Sequence, residues 1–128
     1  MKKFFPLIIF IIAICAGCGN SEGYQRLSAD KAREIIKTEK DIIILDVRTV
    51  AEYEKQHIPN AILLPIEELQ KNNFTPLPDK NQKILIYCWT GRRAEDSAKI
   101  LVKHGYINVF EFGGLVDWEG ELEGTDVK

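Results

Sequence analysis

The stretch that decides the fold is Ile84-Leu85-Ile86-Tyr87-Cys88-Trp89-Thr90-Gly91-Arg92-Arg93-Ala94. An apolar run ends abruptly at a cysteine, a short polar loop follows, and a helical pattern continues over residues 95–104. This order places the loop at the carboxyl end of a parallel strand, where open α/β sheets hold their ligand sites. A cysteine at a helix N-terminus and beside two arginines is expected to react as a thiolate. The stretch therefore predicts that Cys88 is a nucleophile for an anionic or sulfur-bearing substrate.

The rest of the chain repeats this alternation of strands and helices. Ser28 is the predicted N-cap of a helix that runs to about Lys40. Gly113-Gly114 is expected to break the last strand, and the acidic residues 123–128 are expected to fray. The alternation predicts an α/β fold with a mainly parallel sheet. The predicted strands are 41–47, 61–64, 84–87 and 108–112, and the predicted short helices are 52–56, 66–70 and 115–118.

Length and composition limit the class of protein. With 128 residues the chain is long enough for one domain, and 45% hydrophobic and 28% charged residues are ordinary for a globular protein. The formal net charge is -2, and no run of basic residues is present. An acidic balance repels the phosphate backbone, so no nucleic-acid partner is expected.

The N-terminus is a separate segment with the pattern of an export signal. Met1-Lys2-Lys3 is positively charged, and the apolar residues 4–16 that follow are too few to span a bilayer, which needs about 20 residues. Cys15-Ala16-Gly17-Cys18 resembles a bacterial lipobox, although Cys15 stands where an aliphatic residue is usual. Residues 1–17 are therefore predicted to be a lipoprotein signal peptide.

Cleavage there would leave Cys18 as the lipid-modified N-terminus. We expect an exported protein that is lipid-anchored to a bacterial membrane, on its periplasmic or extracellular face, with residues 18–26 as a polar tether. A plain secretory signal and a short uncleaved anchor are the two alternatives. Under the lipoprotein hypothesis Cys88 is the one free thiol of the mature protein. Because Cys15 would leave with the signal peptide and Cys18 would be acylated, the mature protein would keep no Cys-x-x-Cys pair or Cys/His cluster, and no metal site is predicted.

A set of motifs in fixed order resembles the rhodanese, or sulfurtransferase, family over residues 27–122, as a single domain. The resemblance implies a central parallel sheet flanked by helices on both faces, with the cysteine loop as the active site. The chain would then end in a tail, residues 123–128. The motifs are Asp46-Val47-Arg48 with Glu52-Tyr53, His57-Ile58-Pro59-Asn60-Ala61, Cys88-x-x-Gly91-x-Arg93, and Gly113-Gly114 with Trp118.

The resemblance also implies a reaction. Cys88 would take a sulfane sulfur from thiosulfate or a related persulfide donor and pass it, as a persulfide, to cyanide or to a thiol of a small molecule or protein. No cofactor is implied. Asp46 and Arg48 would support the site through an ion pair or by bracing the loop. The expected substrate-binding residues are Trp89, Thr90, Gly91, Arg92 and Arg93.

Two alternative functions remain beside this one. Related phosphatases and arsenate reductases use a Cys-x5-Arg loop, whereas Cys88 and Arg93 are separated by four residues, which favours sulfur chemistry. A sulfur-carrier or binding module of the same fold, without turnover, is the other alternative. Trp89 occupies a position at which many rhodaneses have arginine, so the identity of the donor stays open between thiosulfate and an organic persulfide.

Overall fold

The structure is a computed structural model that describes residues 22–128. The predictions for residues 1–17, for Cys18 and for the tether up to residue 21 lie outside the described residues. Within the described part, no helix is long and apolar enough to cross a membrane.

Five strands form one sheet in the described part of the chain, and every neighbouring pair is parallel. The order across the sheet is β1-β5-β4-β2-β3, so β4 lies at the centre. This arrangement confirms the predicted α/β class and its parallel sheet. The strands are β1 (Gln25–Arg26), β2 (Ile42–Asp46), β3 (Ile62–Leu63), β4 (Lys83–Cys88) and β5 (Val109–Gly114).

Helices connect the strands and cover both faces of the sheet. Ser28 caps the first helix as predicted, because its Oγ accepts a hydrogen bond from Lys31 N at 3.1 Å. The last helical segment is a single 3₁₀ turn. The helices are α1 (Ala29–Thr38), α2 (Val50–Lys55), α3 (Ile66–Gln70), α4 (Arg92–Lys103) and the 3₁₀ turn Leu115–Asp117.

Alternate residues of β4 build two separate cores. Ile84 and Ile86 point into one core, which contains buried residues of α3 and α4. Leu85 and Tyr87 point into the other, which contains Ala32 of α1. Because side chains alternate across a strand and all four of these residues are buried, β4 is covered on both sides. The predicted flanking of the sheet by helices on both faces is confirmed.

Three details differ from the prediction. Gln25 and Arg26, expected in the tether, pair with β5 as an edge strand, and their exposed side chains gave no apolar pattern. Gly113 and Gly114 do not break β5 but form its end. The tail does not fray at once: Thr125 N and Asp126 N donate to the last carbonyls of α2, at 3.0 and 2.9 Å. Backbone hydrogen bonds with distant segments decide the edge strand and the tail, and these bonds leave no local apolar pattern.

A buried ion pair holds the carboxyl end of β2. Asp46 and Arg48 are 0% and 2% exposed, and Arg48 Nη2 donates to Asp46 Oδ2 at 2.8 Å. The same nitrogen donates to the Gln56 carbonyl at 2.6 Å, which ties β2 to the end of α2. Asp46 and Arg48 therefore form the ion pair and brace that the sequence analysis expected of them.

We expect Arg48→Met to lower the free energy of unfolding by about 3–5 kcal/mol, because it leaves the buried Asp46 carboxylate without its counter-charge. Urea denaturation at neutral pH measures this change. Lys31→Met is the matched control, since it removes an exposed pair with Glu34 and should cost less than about 0.5 kcal/mol. Equal losses in the two variants would contradict the assigned role of the buried pair.

Candidate active site

Cys88 is the last residue of β4, so it lies at the carboxyl edge of the sheet, between β2 and β5. It is 1% exposed, and its Sγ accepts a hydrogen bond from Gly91 N at 2.9 Å. Gly91 has a φ of 116°, a backbone conformation that favours glycine, and it is the N-cap of α4. The loop thus turns back over its own cysteine and aims a backbone donor at the sulfur.

Two glycines of β5 support this loop from behind. A Cβ added to Gly114 would collide with the Trp89 carbonyl, and one added to Gly91 would come within 3.1 Å of Gly113 Cα. Val116 N donates to the same Trp89 carbonyl at 3.1 Å. The end of β5 therefore has to be glycine so that the cysteine loop can lie against it.

Arg93 is held by a carboxylate from another part of the chain. Its two terminal nitrogens donate to the two Glu52 oxygens at 2.8 and 3.0 Å, a bidentate geometry. The Arg93 hydrogen bonds lower the pKa of Glu52 to about 2. Glu52 in turn raises the pKa of Arg93, and the neighbouring Cys88 sulfur adds to that rise. The pair joins α2 to the first turn of α4, beside the cysteine.

The remaining residues of the loop face solvent. Trp89, Thr90 and Arg92 are exposed, and Arg92 has no ion-pair partner within residues 22–128. Thr90, Gly91 and Arg92 line one side of an open cleft of about 790 Å³. Arg92 and Arg93, which the sequence analysis placed in a loop, are the first two residues of α4. From these positions Arg93 reaches Glu52, whereas Arg92 faces the cleft.

Glu111 is a buried charged residue on the floor of this cleft. It is 0% exposed, it accepts a hydrogen bond from Gly113 N at 2.9 Å, and it pairs with Arg26 of β1. The carboxylate therefore fixes the backbone immediately before Gly114. A lone glutamate in the apolar run of β5 was the sequence signal that could have identified it.

Asp46 and Arg48 lie one strand away from the cysteine. Asp46 is in register with Tyr87, and the Arg48 guanidinium lies 5.8 Å from the centre of the Tyr87 ring. The Tyr87 hydroxyl accepts a hydrogen bond from Ile58 N at 3.1 Å. This network anchors the turn around Asn60, whose φ of 67° is the left-handed conformation that asparagine tolerates.

Glu52 is the residue of the site that sequence reasoning missed. It was part of a motif, but its contact with Arg93 spans 41 positions, and no local pattern connects the two. The structure brings together Cys88, Gly91, Arg93 and Glu52. It directs Arg92 and Thr90 toward the cleft instead.

The Glu52–Arg93 pair predicts a specific dependence of stability on pH. The folded-state pKa of Glu52, about 2, lies below the ordinary value of 4.5. The ionised Glu52 side chain therefore contributes fully to the free energy of unfolding above pH 4.5, and this contribution is lost as the pH falls toward 2. We expect Glu52→Gln to lower the free energy of unfolding by up to about 1 kcal/mol at pH 7, because the pair is one-third exposed and partly screened. Urea denaturation between pH 7 and pH 3 measures how this difference shrinks.

Glu54→Gln is the matched control for this measurement. Glu54 is exposed on the same helix and has no ion pair in the part of the chain that the structure describes. At every pH, Glu54→Gln should change the free energy of unfolding by less than Glu52→Gln does. A Glu52→Gln effect that stays constant down to pH 3 would contradict the role assigned to the pair.

Comparisons with known proteins agree with this architecture. The thiosulfate sulfurtransferase GlpE of Coxiella burnetii is 34% identical over 104 residues, which cover 80% of this chain and 94% of that protein. YrkF of Bacillus subtilis, whose name assigns it a sulfur-carrier role provisionally, is 32% identical, and the match spans 56% of its length. A rhodanese structure from Escherichia coli, solved with anions, has 32% identity and a TM-score of 0.59, over 65% of this chain and 98% of that one.

The family profile described as "Rhodanese-like domain" matches residues 28–121, almost all of the described chain. These limits agree with the span over which the sequence motifs resemble that family. Four of the five strands, the cysteine at the end of the central strand and the glycine-backed loop lie within the matched region, and β1 lies just before it. The chain belongs to the rhodanese family.

Proposed function

We propose that the protein is a sulfurtransferase that carries sulfur as a persulfide on Cys88. The observation that carries this proposal is the hydrogen bond from Gly91 N to Cys88 Sγ, at 2.9 Å, at the N-terminus of α4. A backbone donor and the positive end of a helix dipole both stabilise a thiolate. The same groups stabilise the anionic persulfide that the reaction leaves on the cysteine.

In the first half-reaction the Cys88 thiolate attacks the sulfane sulfur of the donor. With thiosulfate, a new S–S bond forms on the cysteine, the S–S bond of the donor breaks, and sulfite leaves with the electron pair. The scheme assigns no general base, because the attacking species is the thiolate form, which the Gly91 N–H and the α4 dipole favour. In the second half-reaction a thiol or cyanide attacks the outer sulfur, and the Cys88 thiolate leaves.

The two arginines have different parts in this scheme. Arg93 is engaged by Glu52 and orients the start of α4 beside the sulfur. Arg92 is exposed and free of an ion pair within the described chain, so it is the cation available to a charged donor. Trp89 and Thr90 are the exposed loop residues past which a donor approaches the buried Cys88.

The alternative with a specific observation in its favour is a sulfur carrier without turnover. Its support is the resemblance to the B. subtilis protein that carries a sulfur-carrier name. Phosphatase or arsenate reductase activity is less well supported, since only four residues separate Cys88 from Arg93, one fewer than in the Cys-x5-Arg loop.

We also propose that the protein is exported and anchored to a bacterial membrane through a lipid on Cys18. The support is the sequence Cys15-Ala16-Gly17-Cys18 after a charged start and a short apolar run. Cys88 is the free cysteine of the described residues, so in an exported protein its reaction partner has to come from outside the chain.

Thiosulfate or an organic persulfide should add one sulfur atom, about 32 Da, to the purified full-length chain. The expected gain is lost in Cys88→Ser, because serine cannot form a persulfide. Intact mass spectrometry after desalting measures the adduct. Cys15→Ala with Cys18→Ala is the matched control, since it removes the other two thiols and should keep the gain. A chain that gains no sulfur from either donor would refute the proposal.

Production of thiocyanate from cyanide separates the two sulfur-transfer alternatives. A turning-over enzyme makes many equivalents of thiocyanate per chain, whereas a carrier releases at most one. Both outcomes require the Cys88 adduct.

Cells that express the full chain should incorporate a labelled fatty acid into it, and Cys18→Ala should abolish the label because the acylated residue is gone. Gel electrophoresis of the immunoprecipitated protein measures incorporation. Cys15→Ala should remain labelled and serves as the control. Equal labelling of Cys18→Ala and wild type would refute the lipid anchor.

A further inference from the structure

The positive charges around the cysteine loop are largely neutralised. Glu52 binds both terminal nitrogens of Arg93. In the adjoining cleft, Arg26 pairs with Glu95 and Glu111, and Lys99 pairs with Glu95. Arg92 is thus the remaining unpaired cation among the described residues of the loop and cleft. The carboxylates that line the cleft are Glu95, Asp96, Glu111 and Asp117.

An apolar rim lies beside the same loop. Trp89 follows Cys88 directly and is 42% exposed, and Val116 is 55% exposed. The hydrogen bond from Val116 N to the Trp89 carbonyl, at 3.1 Å, makes the two residues neighbours. Single exposed apolar residues are common and need no explanation, but two on hydrogen-bonded segments, one of them next to Cys88, offer a surface to an apolar group.

These features suit one class of sulfur donor better than another. Thiosulfate carries two negative charges and no apolar group, so its approach to a thiolate depends on nearby unpaired cations. The persulfide group of a carbon-bound donor carries at most one negative charge, and an apolar organic group on it can bury area against an indole ring. A site with one unpaired cation and an apolar rim favours the second class.

We infer that the donor is a carbon-bound persulfide whose organic group packs against Trp89 and Val116, and that thiosulfate is a poor donor. This inference rests on the proposed function of Cys88. The thiolate attacks the outer sulfur of R–S–SH, a new S–S bond forms, and the S–S bond of the donor breaks. The organic thiolate leaves with the electron pair, and the proton stays on the transferred sulfur.

Single-turnover loading of Cys88 by benzyl persulfide and by thiosulfate tests the inference. Each rate constant is divided by that of the same donor with free cysteine, which removes the difference in intrinsic reactivity. We expect the normalised rate for benzyl persulfide to exceed that for thiosulfate by about tenfold or more, a difference of ~1.4 kcal/mol in activation free energy.

Substitutions at the rim show whether Trp89 causes this preference. Trp89→Arg should shift the ratio toward thiosulfate by about tenfold, because it adds a cation and removes the ring. Trp89→Phe should keep most of the preference. Ile107→Arg, at an exposed position before the amino end of β5, is the charge-matched control and should leave the ratio unchanged.

The outcomes separate the inference from the proposed function. If thiosulfate loads wild-type Cys88 with a larger normalised rate constant than benzyl persulfide does, the inference is overturned. The sulfurtransferase proposal would still stand. An unchanged ratio in Trp89→Arg would likewise overturn the role of the rim. Failure of Cys88 to load with either donor would refute the proposed function itself.

Discussion

The close approach of the cysteine loop to the backbone of β5 is the contact on which the site depends. Gly114 lies so near the Trp89 carbonyl that no side chain fits between them. This contact lets the loop turn back at Gly91 and place an N–H over the Cys88 sulfur. The candidate site is therefore formed by two neighbouring strands of a parallel sheet, one providing Cys88 and the other a surface without side chains.

Buried charges hold the parts of the edge around that contact. Glu111 binds Gly113 N and fixes the glycine backbone from the β5 side. Asp46 and Arg48 hold the end of β2 and its connection to α2, which in turn presents Glu52 to the loop. Each buried charge has a partner and hydrogen bonds, the condition under which a charge is tolerated in a protein interior. These residues hold the carboxyl ends of β2 and β5 in place, whereas the loop makes the contact with the Cys88 sulfur.

Charge pairing changes the chemistry expected from the loop. Two consecutive arginines beside a cysteine suggest a strongly positive site. Glu52 cancels one of them, and the acidic side chains of the cleft surround the other. The fixed dipoles of the loop and of α4 also act on the Cys88 sulfur, and ion pairing does not remove them.

The sequence by itself determined the alternation of strands and helices, the family, the cysteine at the end of the central strand and the Ser28 cap of α1. Those features depend on apolar periodicity and on neighbours a few positions apart, which a linear pattern contains. Only the tertiary structure decided the edge strand β1, the continuation of β5 through Gly114, and the pairing of Glu52 with Arg93 across 41 positions. These contacts depend on backbone hydrogen bonds and on charges that distant segments bring together, so no local pattern in the chain records them.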